Sequence, residues 1–341
     1  MKIIDTLLSY SLNSKIEELK LELDEESYVL DKVALFGQAT VLFGPPNSGK
    51  TLYTINQLKH TFDNGLLNDR YIFYINADDS KSGIAHKGEI LSQINVQQLA
   101  PGYEGFNLSD FFTAIKHVIK EDVANKVVFI VDTIKKFVDT MDKARMREFG
   151  ILIRQFTSKG GTFIGLGHTN KNKDINGNLV YSGTSDLMED MDCTYMLEVV
   201  EDHISNGIET KTLKLTRGKK RGDNIAEIVG IYRQQEDQSY EELVDSFEFP
   251  QLEDYQKKKQ ERDLIEKEKS YINEYNDAYN LIQKELINCT MNKKELVESI
   301  MKNTKYGRDK SSEIIDFLTG KIISYELSGK TKKQKSYKLI L

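Results

Sequence analysis

The segment Gly44-Pro-Pro-Asn-Ser-Gly-Lys-Thr51 has the spacing GxxxxGK[ST], and it constrains the chain more than anything else in the sequence. An apolar run, Ala39 to Phe43, precedes it and reads as a strand, while Leu52 to His60 after it carries helical spacing. Strand, glycine loop and helix in that order is the context the motif requires. Such a loop curls its backbone N–H groups around a phosphate at a helix N-terminus, where Lys50 neutralises the β and γ oxygens and the Thr51 hydroxyl ligates magnesium. Gly44, Pro45, Pro46, Asn47, Ser48, Gly49, Lys50 and Thr51 are therefore expected to hold a nucleotide, with ATP and Mg2+ as cofactors.

A second run, Val127-Val-Phe-Ile-Val-Asp132, is an apolar strand ending in a carboxylate. Taken alone it is a common strand end. Beside a P-loop it supplies the other half of the site, with Asp132 holding the water shell of the magnesium.

Further short apolar strands are expected at Tyr71 to Ile75, Thr162 to Gly165, Met196 to Val200 and Lys211 to Thr216, with helical stretches between the first four strands of the chain. Alternating β and α elements of this spacing predict an α/β fold with a doubly wound, parallel-rich sheet and a ligand at the carboxyl ends of its strands. At 341 residues the chain exceeds the usual single core, so a second, smaller domain is expected. The composition turns charged and helix-favouring after Pro250. That places an N-terminal extension at 1–32, the α/β domain at 33–250, a charged helical linker at 251–274 and a small domain at 275–341.

Charge divides along the same line. Met291 to Leu341 holds 12 Lys/Arg against 6 Asp/Glu, a net of +6, which leaves the preceding 290 residues with 35 basic and 47 acidic side chains, a net of -12. A basic tail on an acidic body points to local nucleic-acid contact. Two cysteines far apart, Cys193 and Cys289, fit a reducing compartment without structural zinc. The start of the chain lacks a signal-peptide pattern, and no run of roughly 18 apolar residues occurs. A soluble cytoplasmic protein without membrane partners is the expectation.

The order of the motifs resembles that of the RecA-like and DnaB-like ATPases. In them the strand after the P-loop helix ends in a Glu that polarises the attacking water, and Asp78 stands at that place in Asn76-Ala-Asp-Asp79. Aspartate is one methylene shorter, and Asp after a strand is equally a turn or capping residue. Downstream, Asp132-Thr-Ile-Lys-Lys-Phe137, Gly161-Thr-Phe-Ile-Gly-Leu-Gly-His-Thr-Asn-Lys171 and Gly183-Thr-Ser185 through Asp192 look like the hexameric replicative helicases of the plasmid RepA type. The resemblance spans about Val33 to Arg233. It implies that His168 senses the γ-phosphate, although a lone histidine is more often structural. It also implies that Lys171 and Lys173, in the polar loop Thr169 to Ser182, grip single-stranded DNA at the centre of a ring. Ser182 departs from the family's Arg before Gly-Ser. Lys219-Lys-Arg221 resembles the Lys-x-Arg finger that reaches a neighbour's γ-phosphate, so Lys219 and Arg221 imply a homo-oligomer, a hexamer in the family. A basic hairpin turn is the alternative there.

In the tail, Tyr275 to Asn288, Lys293 to Asn303 and Arg308 to Leu318 carry helical spacing, and strands follow at Lys321 to Leu327 and Lys335 to Leu341. Three helices and a hairpin make a winged helix. Arg308 and Lys310 open its third helix, and Lys330, Lys332, Lys333 and Lys335 stud a glycine turn without an acid, as a wing along DNA phosphates would. Winged helices also dock proteins. The expected function is an ATP-dependent DNA helicase or translocase of plasmid, phage or mobile-element replication; the rival is an ATPase switch that assembles on DNA or loads a partner without unwinding.

Overall fold

The computed structural model describes residues 2–17, 27–67, 69–138, 142–170, 175, 179–181, 189–287, 289–328 and 334–340. The chain divides into two compact units, Met1–Leu252 and Glu253–Leu341. After an N-terminal helix α1 (Lys2–Ser9), the first unit has a short antiparallel pair, β1 (Tyr28–Leu30) and β2 (Ala34–Leu35). Its main sheet is built from β3 (Ala39–Gly44), β4 (Tyr71–Asn76), β5 (Val96–Leu99), β6 (Val127–Asp132), β7 (Thr162–His168), β8 (Cys193–Ser205), β9 (Ile208–Lys219) and β10 (Glu227–Gln235).

The spatial order is β10-β9-β8-β3-β7-β6-β4-β5. From β8 to β5 every neighbouring pair is parallel, and β9 and β10 add an antiparallel edge. This is the α/β, parallel-rich sheet of a RecA-like P-loop NTPase core. Buried runs such as ATVLFG and VVFIVD, with no alternation of polarity, are what a sheet covered on both faces demands.

Successive side chains in each strand feed opposite cores. Leu42, Val128, Ile130, Ile164 and Leu166 join one cluster, together with Leu52, Tyr53, Ile55 and Leu58 of helix α2 (Lys50–Asp63) and Ile90 and Leu91 of helix α3 (Lys81–Gln93). Val41, Phe43, Phe129, Val131 and Phe163 join the other, under Phe111 and Ile115 of α4 (Leu108–Lys120) and Phe149, Ile153 and Phe156 of α5 (Lys143–Thr157). The cap residues are local: Asn107 and Asp110 form a capping box on α4, and the Asp142 carboxylate accepts from Ala144 and Arg145 at the start of α5. A short helix α6 (Tyr240–Asp245) closes the first face, placing Val244 in its core.

The second unit opens in the long helix α7 (Leu252–Glu274) and continues with α8 (Asn276–Leu286), α9 (Lys293–Asn303) and α10 (Arg308–Leu318). Three short strands, β11 (Met291–Asn292), β12 (Ile323–Ser328) and β13 (Gln334–Leu339), form an antiparallel sheet in the order β11-β13-β12. Its core is its own: Ala278, Ile282, Leu286, Leu296, Ile300, Ile314, Ile315, Leu318, Ile323 and Tyr337 are all buried together. Among the described residues no helix is long and apolar enough to cross a membrane.

Four elements of the first unit were not anticipated. β1 and β2 are only three and two residues long, Gln97 and Gln98 interrupt β5, and Gly230 sits in the middle of β10, where a Cβ would press on Phe247 and Phe249 at 3.1 Å.

Candidate nucleotide site

Parallel register brings the predicted site together before any side chain is considered. Gly44 at the end of β3 pairs with His168 at the end of β7, and Asn76 at the end of β4 pairs with Asp132 at the end of β6. The four strand ends therefore share one edge of the sheet, where an open α/β fold places its ligand.

Between β3 and α2 the P-loop turns on residues that few other side chains could replace. A Cβ on Gly44 would lie 2.7 Å from the Leu197 carbonyl, and Gly49 caps α2 in the left-handed region at φ +86°. The Lys50 ammonium is buried and donates to the carbonyls of Gly44 (2.9 Å) and Pro45 (2.7 Å) and to Ser48 Oγ (3.4 Å). Burial lowers its pKa to about 8, with the Asp132 carboxylate pulling the other way. A cation held at this cost inside a ring of oxygens is poised for a stronger anion.

Asp132 is the hub. Its Oδ2 accepts from the Thr51 hydroxyl at 2.7 Å and from the Tyr74 hydroxyl at 2.7 Å, and Lys87 Nζ approaches to 3.9 Å. Its carbonyl accepts from Ala77 N at 2.7 Å, which ties the end of β6 to the loop carrying Asp78. A hydroxyl and one carboxylate, both hard oxygens on adjacent elements, suit magnesium, which takes few protein ligands and keeps waters and phosphate oxygens. Thr51 and Asp132 thus fit the metal, and the Gly44 cradle with Lys50 fits the phosphates.

The two aspartates after β4 have different neighbours. Asp79 is turned inward, accepting from Asn76 Nδ2 at 2.8 Å and pairing with Lys87 at 2.5 Å. Asp78 is more open and pairs with Lys136 at 3.1 Å. Asp78 also lies close enough to His168 to act on it electrostatically. Burial lowers the His168 pKa, Lys50 and Lys135 lower it further, and Asp78 and Asp132 oppose them. His168 Nδ1 is buried without a hydrogen-bond partner, at the strand end beside the P-loop. An imidazole so placed is neutral near pH 7 and has one ring nitrogen to offer a ligand.

Lys219 and Arg221 lie elsewhere. Thr40 at the start of β3 pairs with Cys193, and Thr194 pairs with Lys219, so the end of β9 sits at the edge opposite the P-loop. Five residue steps of β3 separate the two edges, roughly 16 Å. Lys219 Nζ donates to the Glu189 carbonyl, and Arg221 pairs with Asp192 at 3.3 Å. Lys171, Lys173 and Ser182 of the loop, and Lys330, Lys332 and Lys333 of the wing, lie outside the described residues. Arg308 is exposed at the first turn of α10, Lys310 pairs with Glu313 at 2.6 Å, and Lys335 lies 4.0 Å over the Tyr325 ring.

Sequence reasoning missed Lys87 and Tyr74. Lys87 carried a signal: it falls among Ile84, Ile90 and Leu91 on the apolar face of its helix, where a lysine needs an acid. Tyr74 was read as core, and its ring is core; only its hydroxyl reaches the site.

No protein-family model matches the chain, and no curated protein does. Among solved structures, one ATPase domain is similar at 12% identity and a TM-score of 0.46, over 71% of this chain and 99% of that chain.

Proposed function

We propose that this chain hydrolyses ATP and uses the energy as a DNA helicase or translocase of plasmid, phage or mobile-element replication, assembled as a hexameric ring around single-stranded DNA. One observation carries the reading. The phosphate, metal and sensor residues share one edge of the sheet, while the arginine that would complete them, Arg221, lies at the opposite edge. An arginine that cannot reach its own ATP can reach that of an adjacent copy, and head-to-tail contacts of that kind close into rings.

Within such a site Lys50 binds the β and γ oxygens, and Thr51 with Asp132 holds the metal, which draws charge from the phosphates when bound. Asp78 orients the attacking water, and Lys136 holds its carboxylate in place. His168 reports the γ-phosphate to the loop that follows β7. Arg221 stabilises the charge that develops on the neighbour's phosphates; a finger of this kind contributes a factor on the order of a thousand. The basic turn and third helix of the second unit would bind duplex DNA beside the ring.

The deciding experiment measures ATPase rates with and without single-stranded DNA beside strand displacement on forked DNA. Stimulated hydrolysis with displacement is expected. Stimulation without displacement would favour the second reading, an ATPase switch that assembles on DNA or loads a partner. That reading draws on Asp78, whose short carboxylate is already engaged by Lys136 and suits slow turnover.

A further inference from the structure

The edge opposite the P-loop holds a second arginine that the family resemblance does not assign. Asp192 is buried, and its carboxylate organises everything around it. Oδ2 accepts from Ala39 N at 2.9 Å, which locks the group to the start of β3. Oδ1 accepts from two guanidinium groups at once, Arg154 of α5 at 2.8 Å and Arg221 at 3.3 Å. One carboxylate thus faces two arginines, which leaves a net positive charge. The Arg154 and Arg221 side chains remain 37% and 41% exposed. They border an open cleft of 630 Å³ that Gly37, Gln38 and Ser158 also line.

We propose that this cleft is a phosphate-binding site for the ATP of an adjacent copy, in which Arg154 contacts the phosphates together with Arg221 and Asp192 is the residue that positions both. The proposal rests on the ring reading above. Two planar forks that converge on one point match the oxygens of a terminal phosphate, and arginine keeps its charge at any relevant pH. Neither arginine reaches the P-loop of its own chain, because the length of β3 lies between. The buried carboxylate pre-orients the two guanidiniums, so little side-chain freedom is left to lose when a phosphate enters.

Complementation in mixed assemblies tests this. Arg154→Ala should lower kcat by about a hundredfold, while binding of a fluorescent ATP analogue to the chain's own P-loop stays unchanged. Mixed with Lys50→Ala, which keeps an intact Arg154, it should regain activity, since the intact cleft of one chain then faces the intact P-loop of the other. Arg154→Lys keeps the ion pair with Asp192 and so guards against a folding defect; it should melt like the parent and still lose about tenfold in kcat. Asp192→Asn should lower kcat with KM for ATP unchanged. Recovery in the Arg221→Ala mixture but not in the Arg154→Ala mixture would make Arg154 a structural ion pair and overturn the proposal. Recovery in neither mixture would overturn the ring reading with it. A loss of single-stranded DNA affinity in Arg154→Ala at unchanged ATPase rate would assign the cleft to DNA phosphates instead, and sink the proposal too.

Discussion

At the scale of single residues, the two aspartates after β4 divide catalysis from support. Asp78 is open and touches only Lys136, so Asp78→Asn should leave ATP binding and stability intact and slow hydrolysis by about a hundredfold or more, because an amide cannot orient water as a carboxylate does. Asp79→Asn removes the close partner of a buried lysine, Lys87. It should cost about 2 kcal/mol in urea unfolding, and normal stability in that variant would show that Asp132 alone suffices for Lys87. Lys50→Ala should fold and bind no nucleotide, since its ammonium contacts loop oxygens rather than the core; turnover in a folded variant would refute the site. These residues differ in how far a linear reading could reach them. Gly44 to Thr51 declare themselves by local spacing, and Asp132 by the strand it ends. Lys87, Arg154 and Asp192 acquire meaning only through partners that the fold supplies: Asp132 lies 45 residues from Lys87, and Asp192 lies 38 residues from Arg154.

At the scale of elements, strands buried on both faces were legible because an apolar run of five or six residues has few other uses. β8 and β9 were found only in their inner parts. They run for 13 and 12 residues, and their outer halves carry charges, as in Glu201, Asp202, Glu209 and Lys211, that read as loop. Their pairing is nonetheless continuous out to Ser205 and Ile208. The inner end of β8 holds Cys193, buried beside β3, where desolvation raises the thiol pKa to about 11. Cys289 is exposed. A thiol reagent at pH 8 should therefore modify one cysteine per native chain and two after unfolding. The same burial has a signed effect on stability: an unfolded thiol ionises near pH 9 and the folded one does not until about 11, so in that window the folded state binds more protons. Stability falls there as pH rises, by roughly 1.4 kcal/mol per unit at most. Cys193→Ser should flatten that part of the profile, and equal slopes for parent and variant between pH 9 and 11 would refute it.

At the scale of the whole molecule, the chain consists of two bodies with separate cores. Two apolar clusters lie on the two faces of the large sheet, and the third contains only residues of the second unit. Bodies that share no core fold alone, so a fragment ending at residue 252 should retain a cooperative melt and bind ATP. What it should lose is affinity for duplex DNA. The excess positive charge lies in Met291 to Leu341, a net of +6, whereas the rest of the chain is acidic and repels a polyanion. Each lysine or arginine engaged with a phosphate releases a counterion, which adds about 0.9 to the slope of log affinity against log salt. Lys310 and Lys335 have partners within the chain, and Arg308 and the lysines of the turn supply the rest of the contact. Removal of residues 253–341 should thus reduce the slope by about 3 to 4 as well as the affinity. If the fragment and the full chain show equal slopes on duplex DNA, the second unit makes no phosphate contacts, and its positive surface serves to dock an acidic protein instead.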